Sequence, residues 1–275
     1  MKEVLLPCGE RVPAFGMGTW FMGEKEKDRV AEIAALRTGL DLGIRLIDTA
    51  EMYAEGGAEE AVGEALAGRR DEAFIVSKVY PHNATRKAAI AACERSLRRL
   101  KTDRLDLYLL HWRGDVPFAE TIAGFEALRA AGKIRHWGVS NLDTGDLEEL
   151  WALSNAVQTN QVLYNLTRRG IEWDLLPWQR KHRIPTMAYS PIEQARLLKK
   201  RALVDFAKRH GMTPAQAALA WLLAKDDVIV IPKAASTAHL KENLDSLKIG
   251  LTAAQLAELD RAFPPPAGPG ALEML

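Results

Sequence analysis

Two hydrophobic periods alternate along this chain. Short, nearly continuous apolar runs such as IRLID, FIVSK and LDLYLLH suit strands buried on both faces of a parallel sheet. Between them lie longer stretches with apolar residues three and four positions apart, the pattern of amphipathic helices. Strands are predicted at 16–19, 45–48, 73–79, 105–111, 134–140, 157–161, 186–189 and 228–231. Helices are predicted at 28–42, 58–68, 85–100, 118–131, 143–154, 172–183, 213–225 and 237–246. Thr85, Asp143 and Thr213 stand where helix N-caps belong, the last followed by Pro214 at a first helical position. Gly43, Gly132 and Gly211 stand where helices should stop.

The ends of the chain depart from this alternation. Segments 3–6 and 12–15 flank the turn-like PCGE and read as a hairpin, with Gly9 free to take positive φ. A short extra helix is predicted at 205–209 and a further one at 251–263, followed by a Pro/Gly-rich tail, 264–275, expected to be mobile. Eight strand–helix units in 275 residues match an α/β class chain. The expected fold is a (β/α)8 TIM barrel with an N-terminal β-hairpin and additional C-terminal helices, spanning 1–275 as one domain. A doubly wound sheet would need a glycine-rich phosphate fingerprint after an early strand. Gly16-Met17-Gly18 lacks the third glycine and does not open a helix at once.

Composition narrows the function. Hydrophobic residues make up 48%, enough for a sizeable core, and the net charge is only +1 with Lys and Arg spread along the chain. That distribution has no basic footprint for nucleic acid or for an anionic membrane. The two cysteines, Cys8 and Cys93, match no metal spacing and are too few for a disulfide framework. No metal is expected, and a reduced, cytoplasmic setting is. No run approaches the roughly 20 apolar residues of a membrane span, and the N-terminus has no signal-peptide core. A soluble, monomeric protein is the expectation.

The apolar strands end in polar residues that packing does not call for. Asp48, Lys78 and His111 stand at the carboxyl ends of three successive strands, and Tyr53 follows Asp48 in the loop DTAEMY. In a β/α barrel those ends form the rim on which active sites are built. Each residue alone has an ordinary reading: a turn-capping Asp, a Lys just past a strand, a satisfied His, a loop-packing Tyr. Four on one rim form an acid/base set. A phenol has a reference pKa of about 10, and lowering it by two units takes roughly 2.7 kcal/mol. An ammonium about 4 Å away supplies on the order of 4 kcal/mol at an effective dielectric near 20, so Lys78 is expected to tune Tyr53 downward. Burial would push Lys78 toward neutrality, and Asp48 would oppose that. His111 would hydrogen-bond a substrate oxygen, and the set would protonate a carbonyl while its carbon is attacked. No side chain delivers a hydride, so a reduction needs a nicotinamide.

The later strand ends suit such a cofactor. Ser140, Asn141 and Gln161 offer polar groups for a carboxamide, although Ser140 and Asn141 also fit helix capping ahead of Asp143. Tyr189, Ser190 and Pro191 end the seventh strand, with a ring face able to stack on a flat heterocycle. Lys233 ends the eighth beside a helix N-terminus, where barrels place phosphates.

The motifs GMGTW, LIDTAEMY, VSKV, LDLYLLHW, GKIRHWGVSN, NQV, AYSP and IPKA together identify a resemblance to the aldo-keto reductases, running from the hairpin to about Phe263. The stretch LIDTAEMYAEGGAEEAVGEAL resembles the bacterial branch that reduces methylglyoxal and related dicarbonyls, the 2,5-diketo-D-gluconate reductase-like members. The resemblance implies a catalytic tetrad at Asp48, Tyr53, Lys78 and His111, with Tyr53 as proton donor. It puts carboxamide contacts at Ser140, Asn141 and Gln161 and nicotinamide stacking at Tyr189. It puts the adenosine 2′-phosphate at Lys233 and Ser236, the adenine at Asn243, and substrate-pocket aromatics at Trp20, Tyr80 and Trp112.

The chain departs from the family pattern in three places. His239 stands where the family often has Arg, and a mostly neutral imidazole grips phosphate less well than a guanidinium. Ala234 stands where a Ser often adds a contact. The stretch 191–201 is short where relatives fold a loop over the pyrophosphate, which implies faster cofactor release. The implied activity is NADPH-dependent reduction of small aldehydes and dicarbonyls, with NADH possible. The other readings are a cofactor-binding interaction module with little turnover, and a barrel aldolase with Lys78 as Schiff-base nucleophile.

Overall fold

A computed structural model describes residues 2–233 and 236–275. The chain opens on an antiparallel hairpin, β1 (Glu3–Leu5) and β2 (Arg11–Pro13), in the register Glu3 to Pro13. Then strands and helices alternate: β3 (Gly16–Gly18), α1 (Glu26–Asp41), β4 (Leu46–Asp48), α2 (Gly57–Ala65), β5 (Phe74–Val79) and α3 (Arg86–Leu100). They continue through β6 (Leu105–Leu110), α4 (Phe118–Ala130), β7 (Ile134–Ser140), α5 (Thr144–Leu153), β8 (Asn160–Leu163) and α6 (Leu175–Lys181). The last part holds β9 (Thr186–Tyr189), α7 (Arg201–Arg209), α8 (Pro214–Leu223), β10 (Val228–Val230), α9 (Thr237–Asp245) and α10 (Ala253–Ala262).

Strands β3 to β10 form one parallel sheet in sequence order, and the sheet curls until its edges meet. Parallel bridges join Phe15 to Val230 and Gly18 to Lys233, and the Gly18 amide donates to the Pro232 carbonyl at 3.1 Å. A side chain at Gly18 would put its Cβ 2.8 Å from the Ile231 carbonyl oxygen, so glycine lets the two edges close. This is the (β/α)8 barrel expected, with the hairpin at one end and α10 following the last unit.

The apolar runs become strands because both faces are covered. Every residue of β4, β5, β6 and β8 is buried, as periodless apolar segments require. Thr85, Asp143 and Thr213 cap α3, α5 and α8, accepting from the amides of Ala88, Asp146 and Gln216. Differences from expectation are local. β8 starts three residues late, although the Gln158 amide still donates to the Trp137 carbonyl of β7 at 3.0 Å while its side chain accepts from the Cys8 amide in the hairpin turn. The predicted helix 172–183 shrinks to α6, which starts at the side-chain cap of Asp174. The short helix predicted at 205–209 extends back to Arg201 as α7. The tail 264–275 carries no regular structure, yet Leu272 packs on the core and Glu273 pairs with Arg168 at 2.6 Å. Among the described residues, no helix is long and apolar enough to cross a membrane.

Candidate active site

The carboxyl ends of the eight barrel strands surround a cavity of about 550 Å³. The four polar strand-end residues come together at its floor. Asp48 is the last residue of β4, Lys78 the penultimate residue of β5, and His111 directly follows β6. Tyr53 arrives from the loop after β4, which is bent by left-handed residues Ala54 (φ 50°) and Glu55 (φ 52°) and by Gly56 (φ 97°). A Cβ at Gly56 would lie 2.4 Å from Nε of Arg99, so glycine meets both demands there.

Lys78 is 0% exposed and organises this floor. Its Nζ donates to both carboxylate oxygens of Asp48 (2.8 and 2.9 Å), to the Thr49 carbonyl (2.9 Å) and to the phenolic oxygen of Tyr53 (3.2 Å). Because Tyr53 accepts this bond, its own hydroxyl hydrogen is free to point elsewhere. Asp48 takes a second side-chain donor, Nε2 of Gln161, at 2.7 Å. The His111 ring meets the Tyr53 ring edge-on at 5.8 Å between centroids. Nδ1 of His111 is buried with no hydrogen-bond partner among the described residues.

The electrostatics differ in one respect from the sequence-based expectation. Tyr53 was expected to be tuned downward by Lys78. Instead burial, reinforced by the Asp48 carboxylate, holds its phenol well above the usual value. The Lys78 charge is already matched by Asp48 and has little left to lend. Burial pulls Lys78 itself down, and Asp48 opposes that, as expected. Burial and then the neighbouring Lys78 charge hold His111 well below the ordinary imidazole range, so it is neutral at pH 7. The floor thus holds a neutral phenol and a neutral imidazole beside an ammonium–carboxylate pair. The enclosed Nζ also speaks against the aldolase reading, which needs a lysine open to a substrate carbonyl.

The upper wall collects most of the other sequence-predicted residues. Trp20, Trp112, Ser140, Asn141, Gln161, Tyr189, Ser190, Pro191, Lys233, His239 and Asn243 all line the cavity. Asn141 (φ 55°) turns out of β7 and donates to the His111 carbonyl at 3.1 Å, while its Oδ1 accepts from the Tyr189 hydroxyl at 3.0 Å. Lys233 lies with its ammonium 5.6 Å from the Phe21 ring centroid. Burial lowers its pKa, against the opposing pull of Glu32, Glu24 and Asp28. Ser236 caps α9 through the His239 amide and does not line the cavity. Ala234 lies outside the described residues.

Tyr80 is not a wall residue either. Its ring packs edge-on against Trp112 at 5.8 Å and stacks on His82 at 4.7 Å, so it backs the pocket instead of facing it. Its amide donates to the buried carboxylate of Glu51, which also takes the side-chain amide of Asn83. Sequence reading missed Glu51 and also Glu59, whose buried carboxylate accepts from Ser77 and Arg99 at 2.6 Å each. It missed Glu193 too. That side chain takes Asn165 and Arg168 and pins the short loop after β9, whose residues Ile192, Gln194, Ala195 and Leu198 line the cavity. Met274 and Leu275 add the end of the tail to the wall. Their apolar character at the end of a Pro/Gly-rich stretch was the one available signal.

Comparison with known proteins places this barrel in a family. The model of the Aldo/keto reductase family matches residues 14–263. The chain is 55% identical over 271 residues to methylglyoxal reductase YeaE of Escherichia coli K12, covering 96% of this chain and 95% of that protein. It is 34% identical to glyoxal reductase of Bacillus subtilis, covering 94% and 91%. The crystal structure of an aldo-keto reductase from Klebsiella pneumoniae in complex with NADPH superposes with a TM-score of 0.97 at 52% identity, covering 100% of this chain and 99% of that one. The family match spans nearly the whole chain, the barrel superposes on that crystal structure, and the chain belongs to the aldo/keto reductase family.

Proposed function

We propose that this chain reduces the carbonyl group of small aldehydes and dicarbonyls such as methylglyoxal, using NADPH, with Tyr53 as the proton donor. The observation that carries the reading is the 3.2 Å bond from the Lys78 ammonium to the Tyr53 oxygen at the floor of a strand-end cavity. NADPH, when bound, supplies the hydride that no side chain can. The cavity suits it on its own terms: it is large, mostly apolar, and bears a few convergent polar groups.

Tyr53 keeps its proton until the substrate oxygen gains negative charge, then passes it across a short hydrogen bond. The Lys78 ammonium beside the phenolic oxygen stabilises the phenolate left behind. Asp48 keeps Lys78 charged in a site where burial alone would neutralise it. Neutral His111 orients the substrate oxygen toward Tyr53. Ser140, Asn141 and Gln161 would hold the carboxamide, and the Tyr189 ring would offer a face to the nicotinamide. Lys233 and His239 would take the 2′-phosphate end, beside the α9 N-terminus that Ser236 caps, and Asn243 would take the adenine. Trp20 and Trp112 face the substrate, with Tyr80 bracing Trp112. A monomer fits the exposed apolar side chains outside the cavity, which sit on separate elements (Leu5 on β1, Val30 on α1, Val204 on α7).

The direct test follows NADPH absorbance on adding methylglyoxal to the purified protein. Consumption of NADPH that depends on both protein and methylglyoxal is the expected result. NADPH binding without turnover across a carbonyl panel would favour an interaction module instead.

The rate of reduction is expected to be flat from about pH 6 to about pH 9. His111 is already neutral across that range, and the raised Tyr53 pKa keeps the donor protonated beyond it. A kcat/KM profile with an inflection near neutrality would contradict these assignments.

Replacing Lys233 with Met is expected to weaken NADPH binding roughly 10- to 100-fold, the range for a charge-assisted hydrogen bond, and NADH binding much less. Fluorescence titration with each cofactor measures this. Equal weakening of both would mean that the 2′-phosphate is read elsewhere.

A further inference from the structure

The end of the barrel away from the cavity carries a second cluster of chemically capable side chains. Cys8 sits exposed in the turn between β1 and β2, Glu10 just before β2, and His136 near the start of β7. Nε2 of His136 lies 2.6 Å from Oε2 of Glu10 and 3.9 Å from Sγ of Cys8. One sulfur, one nitrogen and one oxygen donor all fall within 4.8 Å of one another. We propose that Cys8, Glu10 and His136 bind a divalent transition ion of the zinc class, clipping the hairpin to the barrel.

The donor set selects the ion. A thiolate, an imidazole and a carboxylate suit Zn²⁺ and its neighbours, whereas Mg²⁺ and Ca²⁺ prefer all-oxygen shells. Zinc takes sulfur at about 2.3 Å and nitrogen or oxygen at about 2.0–2.2 Å, which puts tetrahedral donors roughly 3.3–3.7 Å apart. The Cys8–His136 separation is close to this already. The Glu10–His136 separation must open by about 1 Å, within reach of a Glu10 side-chain rotation. Three protein ligands leave a fourth position for water.

The surroundings favour the ion. Arg135 donates to both oxygens of Glu10 at 2.8 Å, but it also holds Asp106 at 3.0 Å, so it retains a partner while Glu10 shares a lone pair. With Cys8 ionised, Cys8, Glu10 and Asp106 carry three negative charges against the two guanidinium groups of Arg135 and Arg70, so the cluster presents a net negative charge to a cation. The turn is held in place by the Cys8 amide donating to Gln158 at 2.9 Å, so the ligand-bearing backbone is ordered in advance. Binding releases the Cys8 thiol proton to solvent, with no redox change. Linear spacing hid the set, since His136 is 128 positions from Cys8 and 126 from Glu10.

The test titrates chelator-treated full-length protein with Co²⁺ and with Zn²⁺. The expected result is one equivalent bound, with a thiolate-to-cobalt charge-transfer band in the near ultraviolet. Zn²⁺ is expected to raise the thermal midpoint of the unaltered protein. Cys8→Ser, on an exposed turn, should abolish the band and the thermal shift while leaving circular dichroism and carbonyl reduction unchanged. His136→Gln should weaken binding by about 100-fold and Glu10→Gln by about 10-fold. The site lies about 13 Å along β7 from Ser140, counting four residues of strand, so reduction rates report separately on the cavity. Absence of a thiolate band, or a band that survives Cys8→Ser, overturns the proposal. So does binding that His136→Gln leaves unchanged.

Discussion

Tyr53→Phe is expected to lower kcat for carbonyl reduction by about 10²- to 10⁴-fold, the range for losing a positioned general acid. The substitution removes one oxygen and little else. The ring still meets His111 edge-on, and Lys78 keeps its bonds to Asp48 and to the Thr49 carbonyl. Cofactor affinity and the thermal midpoint should therefore change little. Steady-state kinetics with methylglyoxal, beside a cofactor titration, separates the two quantities. A variant that kept most of its rate would remove Tyr53 from the mechanism.

Lys78→Met is expected to abolish measurable reduction and to destabilise the fold by about 3–5 kcal/mol, the usual result of orphaning one member of a buried ion pair. Asp48 is 3% exposed and would retain only the amide of Gln161 as a side-chain partner. For a chain of this size the loss corresponds to a fall in Tm on the order of 10 °C. Adding Asp48→Asn to Lys78→Met removes the stranded charge. The double variant should recover much of the stability and none of the activity. Thermal unfolding of both single variants and the double closes the cycle. If the two stability losses simply added, Asp48 and Lys78 would not be acting as a coupled pair.

How well the sequence foretold this site follows from where its signals lay. Asp48, Lys78 and His111 stood out because a strand buried on both faces has no other use for a charge or an imidazole. Glu51 and Glu59 carried no such mark. A glutamate in a loop or on a helix reads as a solvated residue, and only the fold shows that Tyr80, Asn83, Ser77 and Arg99 converge on these two. Tyr80 was assigned to the pocket wall by the family resemblance alone. The 3₁₀ turn Pro81–Asn83 and the buried Glu51 carboxylate turn its ring behind Trp112 instead. The barrel strand limits were legible except at β8, where the apolar pattern reads 157–161 and the paired strand is Asn160–Leu163. The direction of the Tyr53 shift was not legible either, since it depends on burial and on how fully Asp48 consumes the Lys78 charge.

The enclosure of Lys78 has a use outside catalysis. Amine-acylating reagents modify lysines that meet solvent, and this ammonium meets none. In a mass-spectrometric footprinting experiment on the native protein, Lys78 should be among the last lysines to acquire a label. Its labelling rate would then report opening of the barrel interior, from a residue at the centre of the site and with no probe engineered into the chain.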